Sequence, residues 1–275
     1  MYKVEISAIS IHCPLMKTNI YNTYPPVDRH PVDATDWLKT AAILLVCVDH
    51  IGLFFIENDV WWRVAGRMAA PMFFFLIGYS RRTSAPWTWF AIGTGLTVLE
   101  SWGEEWVWAP LNILVSFAVF RFCRPAIQQF ASGSGPLFAL LLLGLAASQP
   151  VTGTMFEYGA TGWLWALLGL CQREYVDSGE AEWRYKRVAT ALIVLPVYFW
   201  FERIDLEFTA IPATVFAAGV VVMCAWLLTF RRGPSPVQPP FPATSALHFL
   251  GRYTLELYTL QLAVSELIAI FELVG

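Results

Sequence analysis

Apolar runs long enough to cross a membrane recur along nearly the whole chain, near 38–56, 62–80, 86–102, 106–122, 135–150, 157–172, 186–202, 207–230 and 246–271, with short polar breaks between them. A membrane helix needs about 17–25 apolar residues, allowing for tilt and imprecise ends. The pattern therefore predicts an all-α fold: a polytopic transmembrane helical bundle of about nine spans. Composition agrees, with 57% hydrophobic and 14% charged residues and a mean hydropathy of +0.53, where a soluble domain carries about a quarter charged residues.

The few charges are sorted by side. If residues 1–36 lie in the cytoplasm, fifteen of the eighteen Lys and Arg fall on that side, Arg203 alone on the other, and Arg63 and Arg67 in or beside the second run. This asymmetry predicts a cytoplasmic N-terminus and an outer C-terminus. The outer breaks are acidic, with Glu57, Asp59, Glu104, Glu105, Glu202, Asp205 and Glu207. The net charge of −3 is not gathered into a basic face, so no nucleic-acid partner is implied. Residues 1–36 read as a polar cytoplasmic arm without the apolar core of a signal peptide, and Met16 is a second candidate start. Residues 37–275 form the membrane domain, in which the prolines of 233–245 make a stiff cytoplasmic linker. The five cysteines are scattered without a metal-ligand spacing, and no metal is expected.

The residues that do not suit a membrane carry the functional reading. Asp49 and His50 lie side by side in "AAILLVCVDHIGLFF", roughly 16 Å along the first helix from its cytoplasmic start. An ionised Asp at that depth costs at least about 2.5 kcal/mol on insertion scales and needs a partner, a wet cavity or a proton. Arg63 and Arg67, four apart on one face of the next run, supply partners, and an Asp49–Arg67 pair is expected. Such a pair also serves helix packing alone. His50 is the one histidine deep inside a span, and an imidazole titrating near neutrality is the natural general base there. A packing or proton-relay role is the alternative. The other buried polar groups are Glu100, Asn112, Glu157, Tyr158, Glu256, Tyr258, Gln261 and Glu266. Glu100 and Glu157 sit near outer ends, where snorkelling is the simple explanation. Asn112 is expected to hydrogen-bond across helices, while Tyr258 and Gln261, three apart, present a hydroxyl and an amide to a common cavity. The "GTG" at 93–95 opens no phosphate loop, and no G-x-S-x-G elbow occurs.

"WLKTAAILLVCVDHIGLFF" followed by "WRVAGRMAAPMFFFLIGYS" resembles the opening of the TraX family of membrane proteins, the F-pilin N-acetylases. That family's pattern is L-K, an apolar run and D-H-I-G, then R-x-x-G-R-x-A-x-P-x-F-x-F. Lys39, Asp49, His50, Gly52, Arg63, Gly66, Arg67, Ala69, Pro71, Phe73 and Phe75 match it. The match is specific over about forty residues, with weaker echoes at Asn112, at Glu157-Tyr158-Gly159 and in the last helix. Where some relatives carry a histidine after the final tyrosine, this chain reads Tyr258-Thr259-Leu260-Gln261.

The resemblance implies transfer of an acetyl group from cytoplasmic acetyl-CoA to an amine, such as the N-terminus of a small membrane or pilus protein, at the bacterial inner membrane. A lipid or glycan acceptor suits the same residues. Lys39 and His50 also have the spacing of the basic residue and histidine, R-x10-H, in the broader membrane-bound O-acyltransferases. On this reading His50 is the catalytic base, Asp49 and Arg67 support it, and Lys39, Arg81, Arg82 and Arg252 lie near the phosphates of acetyl-CoA. Arg63, Asn112, Glu157, Tyr158, Tyr258 and Gln261 are candidates for contact with the acceptor. Two rivals stay open: a structural or assembly subunit that keeps the scaffold without the chemistry, and a proton-coupled permease using Asp49, His50 and the acids of the last helix.

Overall fold

The computed structural model describes residues 31–56, 59–101 and 110–274. Glu57, Glu104, Glu105, Met16 and most of the expected N-terminal arm lie outside them. Among the described residues the chain forms eleven helices and no strand. They are α1 (Ala34–Phe54), α2 (Val60–Gly66), α3 (Ala69–Tyr79), α4 (Trp87–Glu100), α5 (Ile113–Ser132), α6 (Gly135–Met155), α7 (Gly159–Ser178), α8 (Ala181–Asp205), α9 (Ala210–Thr229), α10 (Ala243–Arg252) and α11 (Thr254–Val274). Helices satisfy every backbone group locally, which hydrocarbon demands. Four described segments, Ala34–Phe54, Gly135–Met155, Ala210–Thr229 and Thr254–Phe271, are long and apolar enough to cross a bilayer. Leu140, Leu143, Val151, Leu192 and Val222 are each more than half exposed. Such outward-facing apolar side chains suit lipid and mark a membrane protein.

Among the described residues the apolar runs fall largely on helices, and two of the runs are broken once. The second run divides at Arg67–Met68. Pro71 has no N–H to donate to the Arg67 carbonyl four residues back. The Tyr198 hydroxyl takes its place, donating to Arg67 O at 2.6 Å. The last run divides at Tyr253 into α10 and α11.

Two boundaries differ from expectation. α1 starts at Ala34, inside the expected arm, because "DATD" forms a capping box: Asp33 accepts from Thr35 N, and Asp36 accepts from Asp33 N. α5 runs on to Ser132 through Pro125, so Arg121 and Arg124, expected in a polar break, are buried within a helix. The Pro-rich linker is pinned. Ser235 N donates to Val32 O at 2.8 Å, Ala34 N to Gly233 O at 3.0 Å, and Gln238 both accepts from Val32 N and donates to Val32 O.

The closest packing is between α3 and α7. A Cβ at Gly78 would stand 1.7 Å from the Ala166 carbonyl oxygen, and one at Gly169 would stand 2.1 Å from that of Phe75. Small residues let the two backbones touch, the usual device where lipid removes the hydrophobic drive between helices. Gly78→Ala is therefore expected to push the helices apart at a cost of about 1–3 kcal/mol. A thermal-shift measurement in detergent should read this as a fall in Tm of several degrees, and an unchanged Tm would contradict the packing described.

Candidate active site

The site assembles where α1, α2, α5, α7, α8 and α11 bring their isolated polar residues to one level. Asp49 is the first component. Its Oδ2 accepts from Arg63 Nη1 at 2.8 Å, and the same nitrogen lies 3.2 Å from the Asp49 carbonyl oxygen. Arg67, the expected partner, also pairs with Asp49, at a longer 4.0 Å from Oδ2. At the break at Arg67–Met68, Arg67 also reaches α7 and α8. There its Nη1 donates to the Tyr158 hydroxyl at 2.6 Å, and its Nε lies 3.2 Å from Glu202 Oε2, an ion pair without hydrogen-bond geometry. Arg63, one turn earlier, is left facing Asp49. A Cβ at Gly66 would come within 2.3 Å of Asp49 Cβ, so a glycine there lets α2 lie against α1 and brings the charges together.

His50 is buried beside this cluster. Its Nδ1 is 2.9 Å from Gln261 Oε1 on α11. An amide oxygen only accepts, so in this arrangement Nδ1 carries the proton and Nε2 keeps the lone pair a base needs. The glutamine thus does for the ring what a backbone carbonyl does elsewhere: it selects a tautomer. Gln261→Leu should release that choice at the cost of one hydrogen bond, about 1 kcal/mol. If His50 serves as a base, a roughly fivefold to tenfold fall in kcat is expected, and full activity in the variant would remove this role.

Tyr258, on the same face of α11, lies with its ring centroid 6.0 Å from that of His50. Its hydroxyl accepts from Asn112 Nδ2 at 3.0 Å. Asn112 is otherwise fully engaged: Nδ2 also donates to Glu100 Oε1, Oδ1 caps α5 through Leu114 N, and its own N–H donates to Thr97 Oγ1. It ties helices together, in line with the cross-helix role expected for it, and has no group to spare for a substrate. Glu157 accepts from Ile113 N at 2.9 Å, at the N-terminus of α5, and Glu100 accepts from Asn112. Glu157 thus holds the first turn of α5 directly and Glu100 does so through Asn112.

Two cavities meet here. A small one of ≈ 20 Å³ is lined by Asp49, His50, Glu157, Tyr158 and Tyr258 among others. A large one of ≈ 850 Å³ opens toward the start of α1 and is lined by Lys39, Arg82, Arg121, Arg173, Arg232 and Arg252, with Glu256 as its one carboxylate. Phe73, Phe117 and Leu255 belong to both walls. The cation-lined cavity and the pocket of His50 thus share a wall. Lys39 is fixed by donation to the Gly251 carbonyl at 3.0 Å, at the end of α10. Arg81 is not in this wall. It pairs with Asp177 at 2.7 Å on α7, which Arg173 also contacts.

The sequence reading therefore brought Asp49, His50, Arg63, Arg67, Tyr158, Tyr258 and Gln261 to one place, and Lys39, Arg82 and Arg252 to another. It missed Glu202, taken for an outer loop acid, and Arg121, Arg173 and Arg232, counted only as charges of the cytoplasmic side. Their shared side with Lys39 was the available signal.

The TraX family profile, described as "TraX protein", matches residues 34–232. The chain belongs to the TraX family. It is 29% identical over 217 residues to Protein TraX of Escherichia coli, covering 76% of this chain and 82% of that protein. Protein TraX of Escherichia coli strain K12 is 29% identical over 213 residues, with the same shares. A short region is 42% identical over 54 residues to the uncharacterized protein RP591 of Rickettsia prowazekii (strain Madrid E), covering 20% of this chain and 22% of that protein. No solved structure matches the chain significantly. The family match spans α1 to α9 and so includes Asp49, His50, Arg63, Arg67, Tyr158 and Glu202, while Tyr258 and Gln261 on α11 lie beyond it.

Proposed function

We propose that this TraX-family chain is a membrane-embedded acetyltransferase that moves an acetyl group from cytoplasmic acetyl-CoA to an amine. The observation that carries the reading is the large cation-lined cavity whose far wall, at Phe73, Phe117 and Leu255, is shared with the pocket of His50. The ≈ 850 Å³ cavity is of the size that encloses a cofactor-sized ligand. Its cations suit the phosphates of CoA, and the length of α1 from Lys39 to His50, about 16 Å, suits a pantetheine arm.

The chemistry needs three things from the protein. His50 Nε2 accepts the proton of the attacking amine as the nitrogen bonds to the thioester carbon. The Tyr258 hydroxyl, polarised by the hydrogen bond it accepts from Asn112, has its proton free to donate to the oxygen that gains charge. As the carbon–sulfur bond breaks, the imidazolium returns its proton to the leaving thiolate. Arg67 and Asn112 are committed to Glu202, Tyr158, Glu100 and Tyr258, so Tyr258 is the better donor to the oxyanion. Asp49, next to His50 on α1, is paired with Arg63 and holds α2 beside the imidazole.

The asymmetry of Lys and Arg orients the bundle with about nine spans, the N-terminus and the large cavity in the cytoplasm and the C-terminus outside, in a bacterial inner membrane. The family resemblance makes the acceptor the N-terminal amine of a small membrane or pilus protein, while a lipid or glycan suits the same residues. A permease or a scaffold subunit has less support, because neither role requires a cofactor-sized basic chamber that shares a wall with the pocket of a histidine.

Calorimetry of acetyl-CoA with the purified chain tests the donor. Saturable binding is expected, weakened at least about tenfold in Lys39→Ala, the loss of one charge-assisted contact of about 1.5 kcal/mol or more. No binding at millimolar acetyl-CoA would overturn the reading.

A further inference from the structure

Arg121 differs from the other arginines of the interior: Arg124, also buried with Nε and Nη1 unpartnered, feels the opposite charge of Glu174 and lies outside the cavity wall. Arg63 has Asp49, Arg67 has Glu202, and Arg173 has Asp177. Arg121 is 8% exposed and meets no carboxylate and no hydrogen-bond acceptor among the described residues. Its Nε is buried without a partner. The charges that act on it, Arg82 and Arg124, have its own sign. Its guanidinium instead lies over the ring of Trp89 on α4, 4.2 Å from the centroid, and both side chains line the large cavity.

A buried cation without a counter-charge is costly, and among the described residues only the ring face of Trp89 offsets it. Stacking on an aromatic plane leaves the N–H edges of a guanidinium free. Those edges match two oxygens of one phosphoryl group. On α5, Arg121 lies nine residues, about 13 Å, from Asn112 at the level of Tyr258, and so at the charged end of the cavity rather than beside His50.

We propose that Arg121, backed by Trp89 and joined by Arg82, is a phosphoryl-binding site, and that an anion from outside the chain is its counter-charge. The phosphoryl group belongs to the nucleotide end of CoA. That assignment rests on the acetyltransferase reading, whereas the site itself does not. The other source of the same chemistry is the headgroup of an anionic phospholipid.

The test is thermal stability and binding of the full chain in neutral detergent, with inorganic pyrophosphate, CoA and phosphatidylglycerol as separate probes, for wild type and Arg121→Met. A structural arginine is missed when it is removed; a ligand-binding one with no internal partner is not. Arg121→Met is therefore expected to melt no lower than wild type, to lose the stabilisation by pyrophosphate, and to bind CoA at least about tenfold more weakly. Arg121→Lys, which keeps the charge and loses the fork, should fall between the two. An Arg121-dependent shift with pyrophosphate but no CoA binding would keep the site and remove the acetyltransferase reading. A shift with phosphatidylglycerol alone would keep the site and assign it to lipid. CoA affinity unchanged in Arg121→Met, with a Tm several degrees lower, would overturn the proposal, as would the absence of an Arg121-dependent response to all three probes.

Discussion

His50→Ala is expected to abolish acetyl transfer while leaving the chain folded and acetyl-CoA binding close to wild type. The imidazole is the one group in the small cavity with a free lone pair on nitrogen, since Arg63 and Arg67 only donate and Gln261 is spent on Nδ1. Removing a general base costs about 10²–10⁴ in rate. Binding should persist because the cations that would hold the nucleotide stand at the other end of the large cavity. His50→Gln keeps a polar side chain beside Gln261 and should be equally inactive, which separates loss of the base from loss of packing. Turnover within about threefold of wild type in either variant would remove His50 from the mechanism, since a base contributes far more than that.

The second large effect concerns Asp49. Replacing it with Ala leaves Arg63 buried beside Arg67 without the carboxylate that now lies 2.8 Å from Arg63 Nη1. Breaking a buried ion pair from one side costs about 3–5 kcal/mol. A chain with marginal stability would yield little folded protein. Asp49→Leu combined with Arg63→Met removes both charges and should recover most of that loss, because the stranded charge rather than the missing attraction dominates the penalty. The check is the unfolding midpoint in detergent for both single variants and the double. Additive losses would mean that the pair is not coupled as its geometry requires.

Much of the site was legible because lipid makes polar residues conspicuous. Asp49, His50, Arg63 and Gln261 stood out in apolar runs, and helical spacing was enough to put Tyr258 and Gln261 on one face. What the sequence did not carry was backbone geometry set by other elements. The consequence of Pro71 depends on Tyr198, contributed by α8, which bonds the carbonyl that the proline leaves free. Without that contact the second run reads as one straight helix, which hides that Arg63 stands closer to Asp49 than Arg67 does. Glu202 was lost for a related reason: it is the fourth residue from the end of α8, where an acid reads as surface, yet α8 extends to Asp205 and buries it against Arg67. Arg121 was hidden by the composition of α5, whose polar second half resembles a loop although it continues as helix to Ser132.

The most direct test of the central claim is a structure of the chain with acetyl-CoA bound in a lipid nanodisc. The account predicts the nucleotide among Lys39, Arg82 and Arg252, and the thioester at the wall formed by Phe73, Phe117 and Leu255, within reach of His50 and Tyr258. Acetyl-CoA bound on another face, or absent from the large cavity at saturating concentration, would contradict it.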